Sequence, residues 1–581
     1  MLPRNLRPLL PYFKNYRWSF FVGGVCVLLN NGIWVLFPQV LRKAVDDLNK
    51  GITQHKLVTY ALLILAVAVA KGIFQFLTRW VVIGVSRNVE FDMRNDLFRH
   101  LETLSLSYYQ RTRTGDIMAR CTNDLNAVRM LLGPAIMYSA NTVVFTTGAL
   151  FFMWHLNHRL TMFAFLPLPI VSVTIQYFGR KIHERFERIQ AMFSEISARA
   201  QENFSGARVI RAYAQEEAEI AQFEAANREY IGRSLKLVRL MGMLWPTLET
   251  MLGLAIVLVL WLGGRRVLSG AMSLGDFVAF NTYMVQLTWP IIALGWVINL
   301  FQRGTASMGR INEIFQEKPQ IADDAAIVNP SLPVRGAIEF RNLSFSYGDV
   351  EVLHAINLNI PEGTSLAIVG PTGSGKTTLV NLIVRIYDAA PGTVLIDGRP
   401  IREFPLATLR RSVGFVPQET FLFSDSVREN IAFGKTDATD AEVKAAAEGA
   451  GIAGDIEEFP AQYHTLVGER GITLSGGQKQ RTAIARAIIR DPRILVLDDA
   501  LASVDTHTED RILGHLREIM GGRTTILISH RVSSVRNADR IAVLHSGKIV
   551  ELGTHDELLA RQGYYAELYN KQLLEEELAE V

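Results

Sequence analysis

Six long apolar segments constrain the fold of this chain more than any other feature. They occupy residues 18–41, 59–84, 135–156, 160–179, 242–264 and 276–301. Each is long enough to cross the hydrocarbon core of a bilayer as an α-helix. The chain has 581 residues and a mean hydropathy of +0.16, yet 20% of its residues are charged. We therefore expect a membrane region joined to one or more soluble regions.

Basic residues predict the orientation of these spans. Segment 87–134 carries seven arginines and segment 180–241 carries eleven Lys plus Arg. Loops between spans that are rich in Lys and Arg stay in the cytoplasm. The N-terminus and everything after residue 302 are therefore predicted to be cytoplasmic as well. We interpret the basic first residues as an interfacial helix rather than a signal peptide. The apolar stretch behind them is long enough to span, and no small-residue cleavage site follows it.

Two ionisable residues, Lys71 and Glu249, stand out inside the predicted spans. Burying a charge in lipid is costly, so an intramembrane charge is a candidate for the transport pathway. If the helices extend beyond the bilayer, the same residues would instead lie in water or at the interface. The sequence leaves both interpretations open.

Charge and cysteine content argue against several classes of function. A net charge of +3 is small for a chain of this size and gives no reason to predict a nucleic-acid partner. The two cysteines, Cys26 and Cys121, predict neither a disulfide framework nor a zinc site.

A change of composition follows the last span. Residues 316–336 are polar, contain three prolines and lack helical periodicity, which is typical of a linker. Alternating strand and helix patterns then continue to about residue 570 and predict an α/β domain. We divide the chain into a transmembrane domain (1–310), a linker (311–335), an α/β domain (336–570) and an acidic tail (571–581).

The sequence GPTGSGKT at residues 370–377 predicts a phosphate-binding loop of the Walker A type. An apolar strand precedes it and a helical pattern follows, which favours this role over a glycine turn that contains Lys and Thr by chance. Glycines let backbone amides wrap around phosphates, Lys376 neutralises the outer phosphates, and Thr377 supplies an oxygen to magnesium. The candidate ATP-binding residues here are Gly370, Thr372, Gly373, Ser374, Gly375, Lys376, Thr377 and Thr378.

The sequence ILVLDD at residues 494–499 predicts the acidic partner of that loop. A buried apolar strand would bring Asp498 to its end, where the carboxylate can hold magnesium through water. Two carboxylates after a strand also occur at the start of a helix. The Walker A loop upstream favours the magnesium role.

The sequence LSGGQ, formed by Leu474, Ser475, Gly476, Gly477 and Gln478, carries the resemblance to a known family. A serine and two glycines at a helix start form a second anion-binding surface, useful only if a phosphate is presented from elsewhere. Together with the Walker motifs, this signature resembles that of ATP-binding cassette transporters, and the resemblance covers essentially the whole chain. It implies a dimer of cassettes that sandwiches two ATP molecules, with Mg²⁺, between the Walker motifs of one chain and LSGGQ of the other.

The same resemblance implies roles for residues outside these loops. Tyr347 matches the aromatic that stacks on adenine, Gln418 the glutamine that senses magnesium and the attacking water, and His530 the histidine that contacts the γ-phosphate. Ser503 and Asp505 match a loop that crosses the dimer interface.

The resemblance also implies an architecture: a six-helix, all-α transmembrane domain followed by an α/β P-loop nucleotide-binding domain. One such membrane domain fused to one cassette resembles a half-transporter of the exporter type, so two halves are required. Coupling helices are expected near residues 105–125 and 201–217, although solvated helices with no coupling role would have the same charge pattern. Glu469 and Arg470 match a segment with which exporters touch their membrane domain.

Asp499 departs from the family pattern, because most active cassettes carry Glu at this position. Asp is one methylene shorter, so its oxygens lie farther from the attacking water. General-base catalysis contributes roughly 10²- to 10⁴-fold in rate, so we expect a slow site that still binds ATP. Such a chain resembles the Asp-bearing half of bacterial heterodimeric multidrug-like exporters. Because His530 is retained, a homodimer with two slow sites is the alternative interpretation.

The sequence therefore predicts one subunit of an ATP-driven exporter in a bacterial inner membrane. It would move an amphipathic or apolar compound, drug-like or lipid, out of the cytoplasm or inner leaflet by alternating access. The alternatives are a regulatory ATP-binding half and a homodimeric lipid flippase. Expected partners are a second half-transporter, the bilayer and the cargo. The six spans exclude a soluble cassette ATPase that acts on DNA or ribosomes.

Overall fold

The computed structural model describes residues 4–166, 168–323, 333–468, 474–500, 514, 520–529, 531 and 535–579. The chain divides into two compact units. The first comprises Met1–Phe98 with Gly115–Gln316, and the second comprises Arg99–Thr114 with Glu317–Val581. The first unit thus continues past residue 310, and a short segment from the predicted transmembrane region groups with the second unit.

Within the described residues, six helices are long and apolar enough to cross a membrane, as the sequence predicted. They are Arg17–Asn49, Gln54–Thr103, Thr114–Leu156, His158–Phe165 with Leu168–Ser205, Glu216–Leu268, and Leu274–Gln316. Large apolar side chains such as Trp18 and Leu62 are 69% and 60% exposed. Exposed apolar surface on this scale is expected of helices that face lipid.

The first, third and sixth long helices share a core that contains Val35, Met153, Phe280 and Tyr283. The Tyr283 hydroxyl donates to the Val35 carbonyl oxygen at 2.6 Å and accepts from Gln39 Nε2 at 3.2 Å. These bonds satisfy a phenol that is otherwise completely buried.

Shorter helices flank the spans. Arg4–Leu9 is a 3₁₀-helix and Leu10–Asn15 is α-helical, so the basic N-terminal segment is helical. Tyr12 donates to Asp96 Oδ2 at 2.7 Å, which fastens this segment to the second long helix. The two predicted coupling regions contain the short helices Leu106–Arg111, Thr114–Ala119 and Ala207–Ala212.

The third long helix contains π-helical turns at Arg120–Asp124 and Leu131–Ala135. In the first of these turns, the buried Asp124 carboxylate accepts from Ser307 Oγ at 2.8 Å and from Arg310 Nε at 2.9 Å. This network joins the third and sixth long helices within the first unit.

The second unit is an α/β domain with two sheets in its described part. Its strands are β1 (Ile338–Tyr347), β2 (Val350–Ile360), β3 (Ser365–Val369), β4 (Val394–Ile396), β5 (Arg399–Pro400), β6 (Val413–Val416), β7 (Ile494–Asp498), β8 (Thr524–Ile528), β9 (Arg540–His545) and β10 (Lys548–Gly553). Strands β2, β1, β4 and β5 form an antiparallel sheet in that order. The other sheet has the order β10, β9, β3, β8, β7, β6 and is parallel except for β10.

Helices cover the parallel sheet. The α-helices are Lys376–Ile383, Leu406–Ser412, Val427–Ala432, Asp440–Gly449, Ala453–Glu458, Gly476–Ile488, His555–Ala560 and Tyr564–Ala579, and the 3₁₀-helices are Ile401–Glu403 and Gln462–His464. Alternate residues of β7 enter different cores, Val496 on one face and Leu497 on the other. Burial on both faces explains why β7 reads as a continuous apolar run.

The topology brings four loops to one edge of the parallel sheet. Strands β3, β8, β7 and β6 are consecutive neighbours, and they end at Val369, Ile528, Asp498 and Val416. Because the carboxyl ends of parallel strands meet at one edge, the residues that follow these strands lie close together. This edge is where α/β proteins commonly bind ligands.

Candidate nucleotide-binding site

The loop between β3 and the helix Lys376–Ile383 depends on glycine. Gly370 has φ of +150°, and a Cβ there would lie 2.0 Å from the Leu544 carbonyl oxygen. Gly375 has φ of +101° and immediately precedes the helix, where a Cβ would lie 2.7 Å from Leu353 Cδ2. Any residue with a Cβ would therefore clash at both positions. Glycine avoids these clashes and lets the loop turn tightly over the helix N-terminus.

Lys376 begins that helix and is only 6% exposed. Its Nζ donates to the carbonyl oxygens of Gly370 at 2.9 Å and of Pro371 at 3.0 Å. Burial lowers the pKa of Lys376, while the carboxylates of Asp498 and Asp499 oppose that shift. The ammonium thus lies beside the loop, where it can reach an anion that the loop binds.

A cavity of about 220 Å³ lies over this loop. Its lining residues are Val352, Thr372, Gly373, Ser374, Gly375, Lys376, Thr377, Thr378, Gln418, Asp498, Asp499 and Ile528. The structure thus brings together Walker A residues, the two carboxylates after β7 and the glutamine after β6. This grouping follows from the common edge of β3, β7 and β6, because each residue lies at or just beyond the end of its strand.

The two adjacent aspartates differ in their surroundings. Asp498 is the last residue of β7 and is 1% exposed, whereas Asp499 is half-buried. The Asp499 amide donates to the Ile528 carbonyl oxygen at 2.9 Å, and the φ of Asp499 is +50°.

Three residues of the cavity could hold Mg²⁺. Thr377, Gln418 and Asp498 offer hydroxyl, amide and carboxylate oxygens, which is the donor type that Mg²⁺ prefers.

Tyr347 ends β1 and lies close to the Walker A helix. Its hydroxyl donates to Thr378 Oγ1 at 3.3 Å, and Thr378 lines the cavity. The Tyr347 ring is nearly perpendicular to the rings of Phe345 and Tyr387, with centroids 5.0 and 5.1 Å apart. Tyr347 remains 38% exposed, so part of it is accessible to a ligand.

The signature residues form a separate feature of the same domain. Ser475 caps the helix Gly476–Ile488: its side chain accepts from the Gln478 amide, and the Gln478 side chain accepts from the Ser475 amide. Gln478 Nε2 also donates to Asp455 Oδ1 at 3.0 Å. None of the signature residues is among those that line the cavity in the described part of the chain.

Some predicted site residues lie outside the described residues. They are His530, Ser503, Asp505, Glu469 and Arg470. Their roles stay as sequence predictions.

The structure also reveals residues that the motifs did not indicate. Asp455 holds Arg481 through two bonds, of 2.7 and 3.1 Å, and so braces the signature helix. Arg486 donates to the carbonyl oxygens of Asn430 and Phe421 at 2.8 and 2.9 Å. Burial lowers the pKa of Arg486 to about 10. In the sequence, the arginines of the helix after LSGGQ were the one indication of such pairs. Their partner residues could not be predicted because they lie far away along the chain.

The two ionisable residues of the predicted spans have different environments. Lys71 Nζ lies 3.7 Å from the centroid of the Trp34 ring, a cation–π contact between the first two long helices. Glu249 lies on the fifth long helix and lines a second, apolar cavity of about 310 Å³.

Family models match both regions of the chain. One for the ABC transporter transmembrane region matches residues 20–291, and one for the ABC transporter matches residues 353–502. Two bacterial relatives match over 98% of this chain. A probable multidrug resistance ABC transporter ATP-binding/permease protein, YheI of Bacillus subtilis, is 37% identical over 98% of its own length. An ATP-dependent lipid A-core flippase of Syntrophus aciditrophicus is 36% identical over 95% of its length.

A solved structure of a bacterial Atm1-family ABC exporter with ATP bound has the same fold. Its TM-score is 0.78 at 31% identity, and the match covers 96% of this chain and 98% of that one. The first match overlaps all six long helices, and the second covers most of the residues that line the nucleotide cavity. The chain therefore belongs to the ABC transporter family, as an exporter of the multidrug or lipid type that couples ATP hydrolysis to transport.

Proposed function

We propose that this chain is one half of an exporter that moves an amphipathic or apolar compound, drug-like or lipid, out of the cytoplasm or inner leaflet. The observation that carries the proposal is the separation of two phosphate-binding elements. Lys376, Asp498 and Asp499 line one cavity, whereas Ser475 caps a different helix outside it. Each site would therefore need a signature loop from a second half-transporter.

The chain's own residues would bind ATP as follows. Amides of the loop from Gly370 to Gly375 and the N-terminus of Lys376–Ile383 would hold the phosphates. Lys376 would exchange its two carbonyl partners for phosphate oxygens, and Tyr347 would stack on adenine. Ser475 and the N-terminus of Gly476–Ile488 would bind the γ-phosphate at the partner's site.

Thr377, Gln418 and Asp498 would hold Mg²⁺, since their oxygens line the same cavity. Bound there, Mg²⁺ supplies positive charge that offsets the charge of the phosphates. Gln418 would also orient the attacking water, and His530 would contact the γ-phosphate. Ser503 and Asp505 would contact the opposite half.

Asp499 would act as the general base of the chain's own site. Its carboxylate is roughly one ångström shorter in reach than that of Glu. A misplaced base forfeits part of a contribution of roughly 10²- to 10⁴-fold, or about 3 to 5 kcal/mol. The site would therefore bind ATP well and hydrolyse it slowly, which favours a heterodimer whose other half carries a faster site.

The membrane region would place the N-terminus and the nucleotide-binding domain in the cytoplasm of a bacterium, at the inner membrane. The basic connections after the second and fourth spans support this orientation. The short helices Leu106–Arg111 and Ala207–Ala212 would act as coupling helices. Closure of two cassettes around ATP would then bias the spans toward the outward-facing state.

Reconstitution tests this proposal. The complex, affinity-tagged on this chain and purified from its host, is placed in liposomes, and ATP-dependent movement of a fluorescent lipid or dye is followed. Lys376→Ala should reduce transport, and the exposed Lys444→Ala should not. Native mass then distinguishes two copies of the 65.0 kDa chain from one copy with a different half.

Two alternatives predict other outcomes. A regulatory half that holds ATP while its mate does the chemistry predicts that transport falls in Lys376→Ala but survives Asp499→Asn, which removes only the base. A homodimeric lipid flippase predicts two identical copies that move only the lipid. A wild-type complex that binds ATP but moves neither probe would contradict the exporter proposal.

A further inference from the structure

Three arginines surround one buried carboxylate where the second and third long helices approach the membrane surface. Glu90 on the second helix is only 9% exposed. Its Oε1 accepts from Arg94 at 2.7 Å and its Oε2 accepts from Arg87 at 3.2 Å. Arg129 of the third helix faces the same carboxylate, with its Nε 3.4 Å from Oε2. Three positive charges thus share one negative charge, which leaves an excess of positive charge on this cluster.

That excess charge is accessible. The side chains of Arg87 and Arg94 are 62% and 52% exposed, whereas that of Arg129 is 12% exposed. Among the described residues, Glu90 is the one hydrogen-bond partner of each exposed guanidinium. A guanidinium has five N–H donors, so most of the donors of both arginines remain for a ligand.

The nearest carboxylates in sequence do not cancel the excess. Asp92 and Asp96 lie on the face of the second helix opposite the exposed arginines, because an α-helix turns once in 3.6 residues. Their carboxylates accept from the hydroxyls of Tyr16 at 2.9 Å and Tyr12 at 2.7 Å. This face is therefore occupied by the N-terminal segment, and the arginine face points away from it.

The contact with Tyr16 also fixes the depth of the cluster. Tyr16 directly precedes the first long helix, whose predicted span starts at residue 18, so Asp92 is level with the start of that span. Along the second helix, Arg87 is about 8 Å to the membrane side of Asp92 and Arg94 about 3 Å to the other side. The Arg87 side chain reaches back to the carboxylate one turn later, as long basic side chains do near the ends of spans. The guanidiniums therefore lie at the headgroup level, a layer roughly 5 to 8 Å thick.

Apolar rings extend the arginine face on both sides. Phe91 lies four residues after Arg87 and three before Arg94, and it is 62% exposed. Trp80 lies two helical turns before Arg87, toward the membrane interior, and is 67% exposed. A ligand on this face would meet guanidiniums at one end and aromatic rings at the other. That arrangement suits an amphiphile with a charged headgroup better than a free anion.

We propose that Arg87, Arg94 and Arg129 bind the phosphate of an anionic phospholipid, and that Glu90 holds their guanidiniums together. A phosphodiester carries the negative charge that the cluster lacks, and its oxygens match the forked donors of arginine. Basic pockets between membrane helices bind anionic headgroups in this way. The four residues are not among the described residues that line the apolar cavity around Glu249, so the lipid would be a bound component rather than cargo.

Lipid titration of the full complex tests the proposal. The complex is stripped of lipid in detergent and titrated with phosphatidylglycerol or with phosphatidylcholine of the same acyl chains, and native mass spectrometry counts the bound molecules. The wild type should bind phosphatidylglycerol about tenfold more tightly than phosphatidylcholine. The double variant Arg87→Gln with Arg94→Gln should lose this preference.

A matched control removes the same charge elsewhere. Arg228 and Arg233 are exposed, and each pairs with a carboxylate four residues earlier on the fifth long helix. The double variant Arg228→Gln with Arg233→Gln should keep the preference for phosphatidylglycerol. Equal loss in both double variants would overturn the site, since overall charge would then explain the preference.

A charge-preserving variant separates a lost site from a disturbed fold. Arg87→Lys with Arg94→Lys should retain a preference for phosphatidylglycerol, because lysine also binds phosphate. Loss as complete as in the glutamine variant, or a wild type without the preference, would overturn the proposal. Inorganic phosphate at the lipid's own concentration should not displace the lipid; displacement would assign the cluster to free phosphate instead. The titration needs neither ATP nor cargo, so its outcome is independent of the exporter proposal.

Discussion

The Asp499 amide donates to the Ile528 carbonyl oxygen at 2.9 Å, so the end of β8 fixes the residue that follows β7. Asp499 is held there at φ of +50°, a left-handed conformation that Asp tolerates better than most residues with a Cβ. Since the backbone is fixed, the length of the side chain decides how far the carboxylate reaches into the nucleotide cavity.

Asp499→Glu is therefore expected to raise ATP turnover. The added methylene extends the carboxylate by roughly one ångström. A well-placed general base contributes roughly 10²- to 10⁴-fold, so we expect turnover at this chain's own site to rise about tenfold or more. A faster partner site would hide this rise, so phosphate release at saturating ATP is measured on a complex whose other half lacks its own catalytic base. Asp499→Asn, which removes the base, should not raise turnover there.

The same substitution should carry a cost in stability. Glu lacks the local hydrogen bonding that lets Asp adopt the left-handed region, so we expect a loss of about 1 kcal/mol. Thermal unfolding with and without ATP would reveal it. Unchanged turnover in Asp499→Glu would contradict the prediction of a slow site.

Lys376→Ala should lower the ATP affinity of this chain at least tenfold. The ammonium lies beside the loop on two carbonyl oxygens, and no other described lysine or arginine lines the nucleotide cavity. Photolabelling with azido-ATP, resolved by chain, separates this site from the partner's. The exposed Lys444→Ala is the matched control, and equal labelling of both variants would be incompatible with the assignment.

Asp455→Ala should impair the partner's site rather than this chain's own. Asp455 holds Gln478 at 3.0 Å and Arg481 at 2.7 Å, so its loss frees the signature helix. Hydrogen bonds to charged groups contribute about 1.5 to 3 kcal/mol each. We expect turnover by the complex to fall while photolabelling of this chain persists, with the exposed Asp437→Ala as the control. Loss of labelling at this chain would indicate a general folding defect instead.

Much of the architecture could be predicted from local patterns. Apolar length predicts the spans, and buried parallel strands such as β7 have an unbroken apolar sequence. The contiguity of GPTGSGKT predicts the grouping of Gly370, Lys376 and Thr377. The carboxylates after β7 join them because β3 and β7 both flank β8, which only the topology shows.

Other features depend on contacts between residues far apart in sequence. Residues 99–114 group with the second unit, where His100 Nε2 lies 3.0 Å from the Glu317 carbonyl oxygen and Ser107 donates to Gln320 at 2.9 Å. Nothing in the local pattern of either segment indicates these pairs. The cavity beside Glu249 is similar, since it is formed by side chains from several helices.

Arg486 provides the last prediction. Its guanidinium donates to Asn430 and Phe421, and it lies 5.7 Å from the centroid of the Phe423 ring. Arg486→Lys keeps the charge but loses the forked geometry, so the acceptors on Asn430 and Phe421 lose their donors. Each buried acceptor left without a hydrogen bond costs about 1 to 3 kcal/mol. We expect a clear drop in the unfolding temperature by calorimetry. Arg490→Lys gives up one bond among the described residues, of 3.2 Å to the Arg411 carbonyl oxygen, so its unfolding temperature should fall less. An unchanged unfolding temperature in Arg486→Lys would mean that the charge, rather than the fork, stabilises the domain.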